Sequence, residues 1–211
     1  MTILFDLDGT LIDSTEAILE SFGVAFRSFG DEIPSDELIK AQIGYPLDVM
    51  FVTLGVASER ASEYVEAYKQ HYRKISCAKT VLLPYAKESL ELASKYATLG
   101  VVTTKTAKYS IELLEYNDIM HYFSVLVGRE DVQNPKPHPE PILKALSKLQ
   151  IDTKDVWMIG DTCMDIVSAK SANIQGIAVT SGYASKESLQ SCTDSDKIVD
   201  NTLKAVQFIT L

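Results

Sequence analysis

Two carboxylates, Asp6 and Asp8, end the apolar run at the start of MTILFDLDGTLIDS. Ile3, Leu4 and Phe5 call for burial, yet a carboxylate taken into a dry interior without a partner costs several kcal/mol or surrenders its charge. Two residues apart on a strand or its immediate exit, Asp6 and Asp8 point to the same side. A second pair, Asp161 and Asp165 in IGDTCMD, is one helical turn apart at the start of a predicted helix and can face one place. Four carboxylates converging on one crevice repel each other unless a cation is present, and hard oxygen ligands with room for waters suit Mg²⁺. In NPKPHPEPILKAL, prolines at 135, 137, 139 and 141 fix an extended approach to a helix beginning near Pro141 and hold Lys136 in a defined place. An ammonium held beside a magnesium-carboxylate cluster is suited to a phosphate.

The elements that must position these groups are short apolar runs with helical stretches between them: TILF at 2–5, LGVV at 99–102, FSVLV at 123–127, DVWMI at 155–159 and GIAVT at 176–180. Their length and β-branched content predict buried strands, and the spacers are long enough for crossover helices, which gives an α/β fold with a mostly parallel sheet. Ligands of such sheets bind beyond the carboxyl ends of the strands. The first run ends in Asp6-Leu7-Asp8, the second in Thr103-Thr104-Lys105, and the 155–159 run in Gly160-Asp161, so polar chemistry collects at one edge. Residues 15–80 are too many for one crossover and carry apolar residues at helical spacing, as in EAILESFGVAFRSF and ASEYVEAYKQHYRKI. They predict a helical domain inserted after the first strand, with the chain returning near Leu83-Pro84 and Pro84 near the first turn of a core helix.

Lys and Arg number 20 against 29 Asp and Glu, a formal net charge of −9, with no basic cluster to meet nucleic acid or an anionic membrane. No run approaches the roughly 18 apolar residues of a membrane helix. Cys77, Cys163 and Cys192 are odd in number and lack CxxC spacing, so reduced thiols in a cytoplasmic protein are expected, with Cys163 a small buried filler. His71, His121 and His138 have no ligand spacing and are assigned no role.

DLDGTLIDS, VVTTK, NPKPHPEP and IGDTCMD, in this order and spacing, resemble the four motifs of the haloacid dehalogenase-like hydrolase superfamily. The whole run resembles its phosphoglycolate phosphatase-like branch, whose helical cap matches the insertion at 15–80. The resemblance implies a doubly wound, Rossmann-like core at 1–14 and 81–211 with that cap inserted. It also implies a Mg²⁺-dependent phosphatase of small phosphorylated metabolites, acting through an aspartyl-phosphate. By motif position, Asp6 is then the nucleophile and Asp8 the acid and base. Thr103, with Thr104 beside it, and Lys136 hold the phosphoryl oxygens. Mg²⁺ meets Asp6, the Asp8 carbonyl and Asp161, and Asp165 is either a supporting partner or a further metal contact.

Leaving-group choice is expected from the cap, near Gly44-Tyr45-Pro46-Leu47, a stretch without charge. Phosphoglycolate and pyrophosphate both stay open as substrates. A phosphosugar mutase and a phosphonate hydrolase are weakened because no Lys or Arg follows Gly44 in QIGYPLDVM. A dehalogenase is disfavoured by Asp8. A phosphoacceptor switch like a receiver domain, the alternative of another class, would be about half this length and would not place its acceptor after the first strand. Monomer and homodimer are left open.

Overall fold

The computed structural model describes residues 1–194 and 197–210. They form two compact units, Ser14–Val81 on one hand and Met1–Asp13 with the chain from Leu82 onward on the other.

The larger unit is built on a six-stranded sheet. Its strands are β1 (Thr2–Phe5), β4 (Thr98–Val102), β5 (Phe123–Val127), β6 (Val156–Gly160), β7 (Gln175–Val179) and β8 (Ile198–Val199), and the order across the sheet is β5-β4-β1-β6-β7-β8. Every pairing is parallel. The two remaining strands, β2 (Ile12–Asp13) and β3 (Val81–Leu82), form a separate two-stranded ribbon where the chain passes between the units. The five apolar runs of the sequence are thus strands of one doubly wound sheet, and the short β8 joins them as a sixth.

From β1 the chain runs outward through β4 to β5, then crosses to β6 on the other side of β1 and runs outward again. The order therefore reverses around β1, and the carboxyl end of β1, flanked by the ends of β4 and β6, is where sheets of this kind hold their ligands. Phe5 is in register with Val101 on one side and Ile159 on the other, so the residues after each strand emerge at one level. Ile3, Leu4 and Phe5 are fully buried, as a central parallel strand covered on both faces requires. Leu4, Val102, Val127, Ile142, Leu146 and Met158 belong to one core cluster between the sheet and the helix Glu140–Leu149.

Two local details differ from what the sequence predicts. Pro84 lies outside the core helix, which runs Ala86–Ala93, because Tyr85 at φ 68° takes the left-handed conformation and breaks the turn before it. The cysteines are not all free thiols: Cys163 and Cys192 are joined in a disulfide, with Cα atoms 5.7 Å apart, and only Cys77 is free. Spacing rules miss this pair because 29 residues and a strand separate its members, and only the fold brings them together. Cys163 is half-buried and bonded where buried filler was expected.

The smaller unit is helical, with Thr15–Ser28 and Ala61–Ile75 as its long members and Asp36–Lys40 and Leu47–Thr53 as short ones. An aromatic cluster fills it: the ring of Phe22 lies 4.6 Å from Phe51 and 5.0 Å from Tyr68, while Phe26 meets Tyr64 edge-on. Such ring pairs add about 0.5–1.5 kcal/mol each beyond their buried area. The Tyr64 hydroxyl donates to the Asp31 carboxylate, and Lys79 pairs with Glu16 and Glu20. Tyr45 is exposed, and Gly44 has φ 109°, a conformation that an L side chain rarely adopts.

Candidate functional site

Asp6 is the first residue beyond β1, and its N–H donates to the Ile159 carbonyl, so the sheet ladder itself fixes where the side chain leaves. Asp161 follows β6 directly. Asp165 lies on the helix Cys163–Ser171, whose first turn is closed by a capping box. The Thr162 backbone N–H and hydroxyl both donate to Asp165 Oδ2, at 3.1 and 2.8 Å. Carboxylate oxygens of Asp6, Asp161 and Asp165, all buried, lie within 4.8 Å of one another.

Lys136 is buried among them. Its ammonium stands 2.6 Å from Asp165 Oδ1 and 2.9 Å from Asp6 Oδ1, and it donates to the Val102 carbonyl at 3.0 Å. Lys136 and Asp6 form a buried ion pair, and beyond the ammonium no donor to Asp6 Oδ1 is found among the described residues. Burial drags the Lys136 amine toward neutrality, but the two carboxylates outweigh it and hold the charge. Burial pushes the Asp6 carboxyl up to about 7 even though Lys136 draws it back, and Asp165 adds to the rise. Asp161 is also raised well above the carboxylate range, by burial first and then by Asp6 and Asp165.

One ammonium against three buried carboxylates leaves the cluster short of positive charge. Three buried carboxylates facing a single ammonium fit a hard divalent cation with oxygen coordination. Asp6, Asp161 and Asp165 are the side chains that could hold it, although Asp165 is already engaged by Lys136 and Thr162.

Asp8 is turned to a different partner. Its Oδ2 pairs with Lys105 Nζ at 3.2 Å, both groups mostly shielded from solvent. Thr103 is buried at the end of β4, where its N–H donates to the Val127 carbonyl and its hydroxyl accepts from the Lys105 N–H at 3.1 Å. Thr104 is half-buried beside it. Gly44, Tyr45 and Leu47 belong to the helical unit.

Several groups that position Asp161 are not among the residues singled out by sequence. The Thr10 hydroxyl donates to Oδ1 at 3.0 Å and the Tyr183 backbone N–H to Oδ2 at 2.9 Å. Two glycines make room for it: a Cβ on Gly9, at φ +80°, would sit 2.3 Å from Asp161 Oδ2, and one on Gly182 would sit 2.0 Å away. Gly9 and Thr10 stand within DLDGT and Lys105 closes VVTTK, so membership of those motifs is the signal that marks all three. A backbone N–H such as that of Tyr183 has no signature in sequence.

The profile describing haloacid dehalogenase-like hydrolases matches residues 3–179. The chain is 34% identical over 210 residues to a protein of Dickeya dadantii named probable phosphatase IndB, covering 97% of this chain and 91% of that one. It is 30% identical to a phosphoglycolate phosphatase of Salmonella typhimurium, covering 94% of this chain and 88% of that one. Among solved structures, a haloacid dehalogenase-like family hydrolase from Streptococcus pneumoniae superposes with a TM-score of 0.89 at 29% identity, covering 99% of this chain and 98% of that one. With the motifs, the reversal of strand order around β1 and these likenesses in agreement, the chain belongs to the haloacid dehalogenase-like hydrolases, in the branch of the phosphoglycolate phosphatases.

Proposed function

We propose that this enzyme is a Mg²⁺-dependent phosphatase that hydrolyses a small phosphomonoester through a phosphoryl group carried on Asp6. The observation that supports it most is the setting of Asp6 at the reversal point of the sheet. Its Oδ1 is buried and meets Lys136 at 2.9 Å, with two further carboxylates close by. Asp6, the Asp8 backbone carbonyl and Asp161 would hold the Mg²⁺, whose charge stabilises the phosphate and keeps Asp6 ionised.

In the first half-reaction an Asp6 oxygen attacks phosphorus and the bond to the leaving oxygen breaks, while Asp8, in the role of acid, supplies that oxygen with a proton. In the second, Asp8 takes a proton from water as the water attacks the acyl phosphate, which returns Asp6 and releases inorganic phosphate. Lys136 and Thr103, with Thr104 next to it, neutralise and orient the phosphoryl oxygens, and Asp165 keeps Lys136 in place. Lys105 pairs with Asp8 Oδ2 at 3.2 Å and orients its carboxyl group.

The helical unit, about 15–80, is read as the cap that selects the leaving group, with Gly44, Tyr45 and Leu47 as its contacts. The names of relatives make phosphoglycolate the first substrate to try, with pyrophosphate beside it. A cytoplasmic setting fits a metabolite substrate, and among the described residues no helix is long and apolar enough to cross a membrane. A hydrolysis screen over phosphorylated metabolites, run with Mg²⁺ and with EDTA, tests the reading. Release of phosphate from at least one small monoester, abolished by EDTA and by Asp6→Asn, is expected. Hydrolysis that survives both would overturn it.

A further inference from the structure

The disulfide begins two residues from each of two carboxylates of the site. Cys163 is the first residue of the helix Cys163–Ser171, between Asp161 and Asp165, and Cys192 follows the helix Lys186–Gln190. Ahead of that second helix, the same segment touches the site at its other end. The Tyr183 N–H donates to Asp161 Oδ2, Gly182 packs against the same carboxylate, and the Ser181 hydroxyl donates to the Gly9 carbonyl. Asp161 thus sits inside a closed ring: along the chain to Cys163, across the sulfur bridge to Cys192, back along the segment to Tyr183, and through its N–H to Oδ2.

The segment is also held at its start, where the Thr180 N–H donates to the Val199 carbonyl, and at Leu189, which is fully buried. The apolar cluster beneath it has only Ile166, Ala178 and Leu189 fully buried, with Ala184, Cys192 and Ile198 half-covered at its edge. Just past Cys192 lies a cavity of about 340 Å³, lined in part by Ile166, Lys170, Ile174, Thr193 and Lys197. Near the bridge the Lys170 ammonium also donates to the Cys192 carbonyl. Both cysteines are half-buried, so a thiolate can reach the sulfurs.

We propose that Cys163–Cys192 is a reversible thiol–disulfide site that sets the metal requirement of the enzyme: the oxidised bond holds the Tyr183 segment against Asp161, and reduction releases it. The step balances with a dithiol as reductant. Its thiolate attacks one sulfur, the second thiol closes the reductant's own disulfide, and the two electrons and two protons given up leave Cys163 and Cys192 as thiols. Reoxidation by a peroxide returns the bond and, with hydrogen peroxide, yields two waters. In the cytoplasmic setting proposed above, a disulfide would be of the transient, sensing kind.

The inference rests on Asp161 being a metal-holding residue, and its test is chosen to separate the two. Amide exchange across 180–192 and the Mg²⁺ midpoint for hydrolysis of p-nitrophenyl phosphate are measured on oxidised, dithiothreitol-reduced and peroxide-reoxidised protein, and on Cys192→Ser. Reduction is expected to speed exchange at Tyr183 and raise the Mg²⁺ midpoint about tenfold, the scale of losing a partner behind a metal ligand. Reoxidation should restore both, and Cys192→Ser should behave as reduced protein in every condition. Unchanged exchange and an unchanged midpoint on reduction, with thiol titration showing the bond broken, would overturn the latch and leave the phosphatase reading standing. Faster exchange on reduction in a protein without Mg²⁺-dependent hydrolysis would overturn the assignment of metal to Asp161 and with it this proposal's effect on the enzyme.

Discussion

The Lys136 ammonium lies 2.6 Å from Asp165 Oδ1, and both side chains are shut away from solvent. Asp165 spends its other oxygen on the N–H and hydroxyl of Thr162, so it links the lysine to the start of the helix Cys163–Ser171. This makes Asp165 a residue that holds others.

Asp165→Asn removes the charge that Lys136 needs while keeping the side chain's size. Asp6 still faces Lys136 in this variant, so the loss is that of one buried hydrogen bond to a charged group, about 1.5–3 kcal/mol, read in urea unfolding. A change below about 1 kcal/mol, the scale of an exposed pair, would contradict the role.

Asp161 is fixed by neutral donors and by glycines that clear its path. Gly182→Ala would push a methyl group into the carboxylate, and Thr10→Val removes a hydrogen bond without changing shape much. Each is expected to raise the Mg²⁺ midpoint about tenfold or more, with a smaller change in kcat at saturating Mg²⁺. A midpoint equal to that of the parent enzyme in both variants would show that Asp161 does not hold the metal.

The pH dependence of stability follows from Asp6, raised from 3.8 to about 7 by burial. The folded protein binds this proton more tightly than the unfolded chain. The stability it contributes is therefore full below about pH 4 and lost as pH climbs to about 7. In EDTA, the melting temperature of the parent relative to Asp6→Asn should fall across that window, and Mg²⁺ should remove the fall. A difference that stays flat with pH in EDTA would contradict a raised Asp6.

The sheet was legible because buried parallel strands are continuous apolar runs: TILF, LGVV and FSVLV lie within strands, as do DVWMI and GIAVT apart from Asp155 and Thr180 at their ends. The carboxylates and Lys136 were legible because they stand just past those strands or behind prolines. Lys105 paired with Asp8, the Tyr183 N–H and the Cys163–Cys192 bond were not, because each depends on how two distant segments meet. Pro84 misled because one residue in a left-handed conformation, Tyr85, moved the helix start beyond it.

Selectivity among substrates is expected to follow the helical unit. Tyr45→Ala and Leu47→Ala should change kcat/KM for larger monoesters several-fold while altering acetyl phosphate turnover less, since a pocket contact is worth about 1–3 kcal/mol. Equal losses on every substrate would remove the selectivity role from Gly44, Tyr45 and Leu47.

The covalent step is tested most directly by acid-quenching the enzyme during turnover of a labelled phosphomonoester with Mg²⁺ and mapping the label by peptide mass spectrometry. The account predicts an acid-stable, hydroxylamine-labile phosphoryl group on Asp6, absent from Asp6→Asn. Turnover with no labelled peptide at any quench time, or a label on another residue that persists in Asp6→Asn, would contradict it.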